Sequence, residues 1–322
     1  MKIAILEDYQ DAVRHLPCFS LLRGHEVDVF TKPMTSEEMV RLLFPYEAFV
    51  LIRERTRIDE VLLSQLPQLR VISQTGKLSG NVDVSAAQRR GVALLEGVGD
   101  PTAPAELSWG LLMSAYRRIP QYVSNLKENR WQCTALESAH NTIGRALKGD
   151  VLGVWGYGKI GQRVACYART FGMDVIVWGS EESRLRALSD GYQAAQSKDA
   201  FFSGADVVTL HLRLTESTRG LVQASDLASM KPTALLLNTS RAELIASGAL
   251  LEALRKGRPG FAALDVFEKE PLGANDPLLR MPNVVATPHL GYVEQKSYEY
   301  YFAAAFRNLV EFANGARSNT AH

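Results

Sequence analysis

Cysteine, net charge and long apolar runs are all scarce in this chain, and each scarcity removes a class of protein. Only Cys18, Cys133 and Cys166 occur among 322 residues, far apart and without a C-x-x-C pair. So few and so scattered, they build neither a disulfide framework nor a zinc site and fit reduced thiols in the cytoplasm. The 36 basic residues nearly balance 35 acidic ones, so no broad surface for nucleic acid or anionic lipid is expected. No apolar stretch approaches the roughly 18 residues of a membrane span. The amino terminus, MKIAILEDYQD, turns acidic at Glu7 rather than leading into a secretion signal. Repeats and low-complexity tracts are absent, and a globular protein with neither membrane nor nucleic-acid partner is the expectation.

What is present begins with length: 322 residues exceed what one core usually fills, so two α/β domains are expected. Asp150 to Gly179 reads as strand, glycine turn, helix and second strand. Val151 to Trp155 is short and apolar, and Gly156, Gly158 and Gly161 supply a G-x-G-x-x-G spacing. The first glycine permits the tight turn, the second lets backbone approach a pyrophosphate, and the third lets the helix pack on its strand. Ile160, Val164, Ala168 and Phe171 form an apolar stripe at helical spacing, with Cys166 packed in the same helix. The helix N-terminus then faces the anion with open N–H groups.

Upstream, Lys2 to Leu6, His25 to Phe30, Ala48 to Arg53 and Val71 to Ser73 are candidate strands alternating with helical stretches, which implies a parallel sheet. Gly97, Gly99, Pro101 and Pro104 interrupt this pattern before a helix over Glu106 to Ile119. Downstream of Trp178, Asp206 to Leu212, Ala234 to Asn238, Phe261 to Asp265 and Val284 to Ala286 complete a second, doubly wound sheet. After Pro282 and Pro288, a last helix over Glu294 to Phe312 carries Tyr298, Tyr301, Ala305, Leu309 and Phe312, and is expected to return to the first domain.

Ligands of open α/β sheets gather at the carboxyl ends of the strands. Arg241 in NTSRAE, Asp265 and Glu270 in LDVFEKEP, and His289 in TPHLGY stand there. A guanidinium grips a carboxylate through two hydrogen bonds, an imidazole trades a proton with a hydroxyl, and a carboxylate orients that imidazole. Arg53 and Arg55 end a first-domain strand, with Lys77 on a neighbouring loop. They suit a substrate phosphate or second carboxylate, or else are neutralised by Glu54 and Glu60 at a solvated strand end.

The glycine turn, the His211 strand followed by LTEST, then NTSR, DVFEKEP and TPHLG run in an order and approximate spacing that resembles the D-isomer-specific 2-hydroxyacid dehydrogenase family over nearly the whole chain. That family includes D-3-phosphoglycerate and D-lactate dehydrogenases and hydroxypyruvate and glyoxylate reductases. The resemblance implies a Rossmann NAD(P)-binding domain, residues 102–288, inserted into a flavodoxin-like substrate domain, residues 1–101 and 289–322. It implies hydride transfer between nicotinamide C4 and C2 of a small 2-hydroxy or 2-keto acid, 3-phosphoglycerate or hydroxypyruvate and glyoxylate being candidates. By it, Arg241 binds the substrate carboxylate and carbonyl, Glu270 and His289 form the acid/base pair, and Asp265 holds the nicotinamide carboxamide. The cofactor contacts it implies are Gly156, Tyr157, Gly158, Lys159, Ile160, Gly161, Gly179, Ser180, His211, Arg213, Thr218 and Thr239. Arg53, Arg55, Lys77, Leu78 and Tyr292 fall on its substrate side. A homodimer built on the helix near Glu106 is implied too. Corepressors of the same fold offer a second reading, a nucleotide-sensing binding protein.

The chain departs from the family at several points. Gly179 occupies the position of the usual ribose-binding acid; NAD is the expected cofactor, with Glu181 or Glu182 reaching the ribose, while Arg184 or Arg213 would suit the 2′-phosphate of NADP as the alternative. Glu54 replaces a small hydroxyl residue between the arginines, Lys77, Leu78 and Gly80 alter the substrate loop, and Tyr292 replaces a glycine. Arg317 to His322 close the chain, from which simple kinetics without a regulatory domain are expected.

Overall fold

The computed structural model describes residues 1–315, and Arg317 to His322 lie outside them. The chain groups into two units, Met1–Asp100 with the chain from Val293 onward, and Pro101–Tyr292. Residues 289–292, given to the first unit on sequence, group with the second.

In the first unit, β1 (Lys2–Leu6), β2 (Glu26–Val29), β3 (Ala48–Leu51), β4 (Val71–Gln74) and β5 (Ala93–Glu96) form a parallel sheet in the order β2-β1-β3-β4-β5. β1 and β3 are nearly continuous apolar runs, and all four residues of β4 are buried, because both faces of the sheet are covered. Helices Ser36–Leu43, Glu60–Ser64 and Val84–Arg89 are N-capped by the Thr35, Asp59 and Asp83 side chains and contribute Met39, Leu43, Leu62, Leu63, Ala86 and Ala87 to one core. Helix Gln295–Ala313 packs against β4 and β5; Ser73 Oγ donates to the Ala305 carbonyl at 3.0 Å. Its Tyr298, Tyr301, Ala305 and Leu309 are buried, whereas Phe312 is half-buried, with the Arg70 guanidinium 5.8 Å above its ring. β5 was not foreseen, since ALLE before two glycines reads as loop. The strand pairs there because Gly97 lacks a side chain: a Cβ would stand 2.6 Å from the Gln74 carbonyl oxygen.

The second unit holds β6 (Val151–Trp155), β7 (Asp174–Trp178), β8 (Gln193–Ala194), β9 (Val207–Leu210), β10 (Leu235–Asn238), β11 (Phe261–Leu264) and β12 (Val284–Ala286), ordered β12-β11-β10-β9-β6-β7-β8. All pairings are parallel, and the order reverses between β9 and β6, the switch point at whose carboxyl ends sheets of this kind take their ligands. One face is covered by helices Thr102–Tyr116 and Lys159–Thr170, the other by Lys198–Gly204, Ala224–Ser229 and Ala249–Arg255. Phe201 and Phe202 are fully buried and meet the Trp155 ring edge-on at 6.1 and 5.7 Å. Gly153 makes that approach possible, since a Cβ would lie 2.9 Å from Phe201.

The first helix of this unit starts at Thr102 rather than Glu106, because Pro104 lies in its first turn, where no N–H partner is lost. It stops at Tyr116 and a second helix runs over Ile119–Lys127, separated by Arg118 in the left-handed region at φ 56°. Two expectations for the glycine-turn helix are corrected. Phe171 is its C-cap residue, 47% exposed with its ring tilted 53° to Trp109 at 4.9 Å, and Cys166 faces outward; Val164 and Ala168 are buried as expected, joined by Gly161 and Ala165.

Candidate active site

The glycine turn leaves β6 at the topological switch. Gly156 has φ 100°, a left-handed value that a side chain resists, and a Cβ there would stand 2.6 Å from the His211 carbonyl oxygen. Gly158 is the N-cap of helix Lys159–Thr170 and supplies no side-chain cap, so the first N–H groups are left for an anion. Nothing lies within 4 Å of where a Gly158 Cβ would be, and a Gly161 Cβ would collide with the Gly156 carbonyl. This cradle fits a dinucleotide pyrophosphate. Tyr157 contributes backbone alone, since its ring is buried and its hydroxyl donates to Asp190 at 2.8 Å. Lys159 is exposed and Ile160 half-buried on the helix.

Around that cradle, Gly179 follows β7 at φ 152°, where a Cβ would touch the Ser183 side chain at 3.5 Å, and Ser180 caps the next helix through the Ser183 N–H. Glu181 and Glu182 start that helix, and the Arg184 guanidinium stacks 5.0 Å over Trp178. His211 follows β9; its Nε2 pairs with the Thr209 hydroxyl at 2.9 Å, and burial pushes its pKa down to about 4, so the ring is neutral. Arg213 is exposed, and its carbonyl accepts the Thr218 hydroxyl at 2.7 Å, which closes the LTEST turn. Thr239 shares a 2.6 Å hydrogen bond with Ser108 on the first helix of the unit.

Four residues spread over 48 positions, Arg241, Asp265, Glu270 and His289, follow or end the neighbouring strands β10, β11 and β12. Arg241 follows β10 in a turn held by Asn238, whose amide donates to the Arg241 carbonyl at 2.9 Å and accepts the Ser240 N–H at 3.0 Å. Glu270 is fixed at both oxygens: Oε1 accepts the Phe267 N–H at 2.9 Å and Oε2 meets His289 Nδ1 at 2.7 Å. Because an ionised carboxylate only accepts, Nδ1 carries the proton and Nε2 is the atom turned to other work. The His289 side chain is 19% exposed, and Tyr292 packs against it with ring centroids 5.5 Å apart.

Asp265, which the resemblance places at the nicotinamide carboxamide, is bonded within the chain to the segment that carries His289. It is fully buried; Oδ1 accepts the Thr287 hydroxyl and the Leu290 N–H, both at 2.7 Å, and Oδ2 accepts the Gly291 N–H at 2.9 Å. Burial pushes its carboxyl pKa up, against the pull of these bonds. The three bonds enclose His289, whose backbone is held at φ 52°, a region costly for a residue with a side chain. Thr287 and Asn238 were not anticipated; only their adjacency to His289 and Arg241 signals them in sequence.

In the first unit, Arg53 sits at φ 54° with its guanidinium folded over Gly76 and its Nε 3.8 Å from Glu54. Arg55 donates to the Glu7 carbonyl at 2.6 Å and the Tyr298 hydroxyl at 2.9 Å, and lies 4.7 Å over the Tyr9 ring. Lys77 Nζ reaches Glu96 at 2.5 Å, and the Leu78 N–H donates to the other oxygen of Glu96 at 2.9 Å. Glu60, weighed on sequence as a partner of the arginines, pairs with Arg89 instead.

Comparison with known proteins agrees with this architecture. The model of the D-isomer specific 2-hydroxyacid dehydrogenase NAD binding domain matches residues 109–291. A glyoxylate reductase of Aeropyrum pernix is 38% identical, covering 80% of this chain and 78% of the relative. A D-3-phosphoglycerate dehydrogenase of Archaeoglobus fulgidus is 34% identical over 91% of this chain, which spans 54% of that longer protein. The crystal structure of a phosphoglycerate oxidoreductase from Vibrio cholerae O395 superposes with a TM-score of 0.94 at 53% identity, covering 98% of this chain and all of that one. These relatives are named for reductase and dehydrogenase activities and lend the binding-protein reading no support. With the glycine cradle and the Glu270–His289 pair on one sheet edge, the chain belongs to the D-isomer specific 2-hydroxyacid dehydrogenase family of NAD(P)-dependent oxidoreductases acting on CH–OH groups.

Proposed function

We propose that Arg241, Glu270 and His289 are the catalytic residues and that they interconvert a small 2-keto acid and its D-2-hydroxy acid. The observation that carries this reading is the 2.7 Å bond between His289 Nδ1 and Glu270, on a loop pinned by Asp265. NAD(P), when bound, takes or gives hydride at nicotinamide C4. In reduction, His289 Nε2 gives its proton to the carbonyl oxygen while Glu270 holds the charge of the ring. Arg241 grips the substrate carboxylate and fixes the face presented to the nicotinamide. Gly156, Gly158, Gly161 and the helix N-terminus hold the pyrophosphate.

The active species is a homodimer of the cytoplasm, with Trp131, Leu136 and Ile143, 75–85% exposed, covered by a second copy. The test follows reduced-nicotinamide absorbance with NADH and NADPH across glyoxylate, hydroxypyruvate, phosphohydroxypyruvate and pyruvate. Turnover that disappears in His289→Ala supports the assignment; a variant as active as the natural protein refutes it.

A further inference from the structure

We infer that Ser108 is a positioning residue: it fixes the direction of the Thr239 hydroxyl, so that Thr239 accepts a hydrogen bond from an N–H or O–H donor on the nicotinamide half of the cofactor. This rests on the proposed reading of the strand ends at Arg241, Glu270 and His289 as the place where the nicotinamide reacts. Ser108 is fully buried on helix Thr102–Tyr116, and its Oγ lies 2.7 Å from the Pro104 carbonyl and 2.6 Å from Thr239 Oγ1. A carbonyl only accepts, and a hydroxyl has one hydrogen to give. The Ser108 hydrogen is spent on Pro104, so the hydrogen in the 2.6 Å bond belongs to Thr239. What Thr239 Oγ1 has left to offer is a lone pair.

Thr239 directly follows β10, two positions before Arg241, and is half-buried where Ser108 is closed off, so the pair meets a ligand on the Thr239 side. The first turn of the same helix also abuts the histidine segment: a Cβ on Gly291 would stand 3.6 Å from the Pro104 side chain. One helix start thus sets the proton order at the end of β10 and borders the loop that carries His289. The nicotinamide half carries donors of two kinds, the carboxamide NH2 and the ribose hydroxyls. A carbonyl oxygen offered to Thr239 meets a lone pair and is repelled. Without the Ser108 oxygen, the Thr239 hydrogen turns toward the donor and the bond to it is lost.

The experiment measures nucleotide affinity by calorimetry, with NADH or, where the natural protein binds it tighter, NADPH. It compares the natural protein with Ser108→Ala, Thr239→Val, Thr239→Ser, and Ser108→Ala with Thr239→Val. Ser108→Ala and Thr239→Val are each expected to weaken binding about three- to tenfold, the range of one neutral hydrogen bond, while Thr239→Ser keeps its oxygen and stays within about twofold. The double variant should bind as Thr239→Val does, because Ser108 acts through that hydroxyl alone. Losses that add, or a Ser108→Ala protein with a lowered Tm and unaltered affinity, mark Ser108 as purely structural and overturn the inference. So does a Thr239→Val protein that binds as the natural one does. The 3-acetylpyridine analogue, in which a methyl replaces the carboxamide NH2, separates the two donors. A Thr239→Val loss that vanishes with the analogue assigns the bond to the carboxamide, and one that persists assigns it to a ribose hydroxyl. A natural protein that binds neither nucleotide refutes the functional reading itself, whereas natural binding with unaltered variants overturns this inference alone.

Discussion

Replacing Asp265 with Asn separates the cofactor role that the sequence resemblance implies from a role in anchoring the His289 loop, to which its carboxylate is bonded. In the folded protein Oδ1 accepts two hydrogen bonds and Oδ2 one, all from the segment that carries His289. Asparagine keeps an oxygen for Thr287 and Leu290 but turns an amide N–H toward the N–H of Gly291. A hydrogen bond to a charged group contributes about 1.5–3 kcal/mol, and leaving the buried donor unmet costs about 1–3 kcal/mol more. Removing a buried charge, which already strains to hold its proton off, offsets part of this, and about 2–4 kcal/mol of restraint on the loop is lost. If that restraint acts on the placement of His289 in the transition state, kcat/KM falls roughly 30- to 1000-fold, at 1.36 kcal/mol per factor of ten. Stopped-flow turnover gives the rate, and quenching of tryptophan fluorescence gives the NADH dissociation constant, expected within about threefold of the natural value. An Asp265→Asn protein with near-normal kcat and cofactor binding weakened tenfold or more would refute the loop-anchoring argument and restore the carboxamide role.

Arg241→Lys should lower kcat/KM for 2-keto acids by about 100-fold or more, because one ammonium cannot reproduce a two-pronged grip; retention of most activity removes Arg241 from its role. His211 is held neutral with a pKa near 4 against an ordinary 6.5. The stability it supports is therefore complete above 6.5 and is lost as pH falls toward 4, where the unfolded chain takes the proton and the folded chain does not. Urea titrations at pH 7, 5.5 and 4.5 should show a shallower loss for His211→Gln, by up to one proton, and an unchanged slope contradicts burial as the cause. Trp131→Glu with Ile143→Glu should convert the sedimenting species to a monomer; a dimer unaffected by both charges excludes this surface as its interface.

Much of the fold is legible in the chain because buried parallel strands leave short unbroken apolar runs, as in Ala48–Leu51 and Leu235–Asn238. Elements without that mark escape. β8 is two residues long, β5 hides before Gly97, whose missing side chain permits a close backbone approach, and Arg118 divides a helix by a backbone angle that no side chain announces. The site divides similarly. Arg241, Glu270 and His289 stand out as chemistry at strand ends, whereas Ser108 resembles any helix serine until its two bonds are seen.

Sequence alone determined the parallel α/β class and the glycine cradle, since each depends on local spacing along one strand or turn, whereas the pairing of Glu270 with His289 was only implied by the resemblance. Tertiary structure decided what those residues are attached to. Asp265 became the anchor of the histidine loop, Arg55 was bound to Glu7 and Tyr298, and Lys77 met Glu96. These pairings join segments 19 to 243 residues apart, and hydrogen bonding acts over about 3 Å. Only the packing of strands β3, β4 and β5 and of the closing helix brings such groups within that reach.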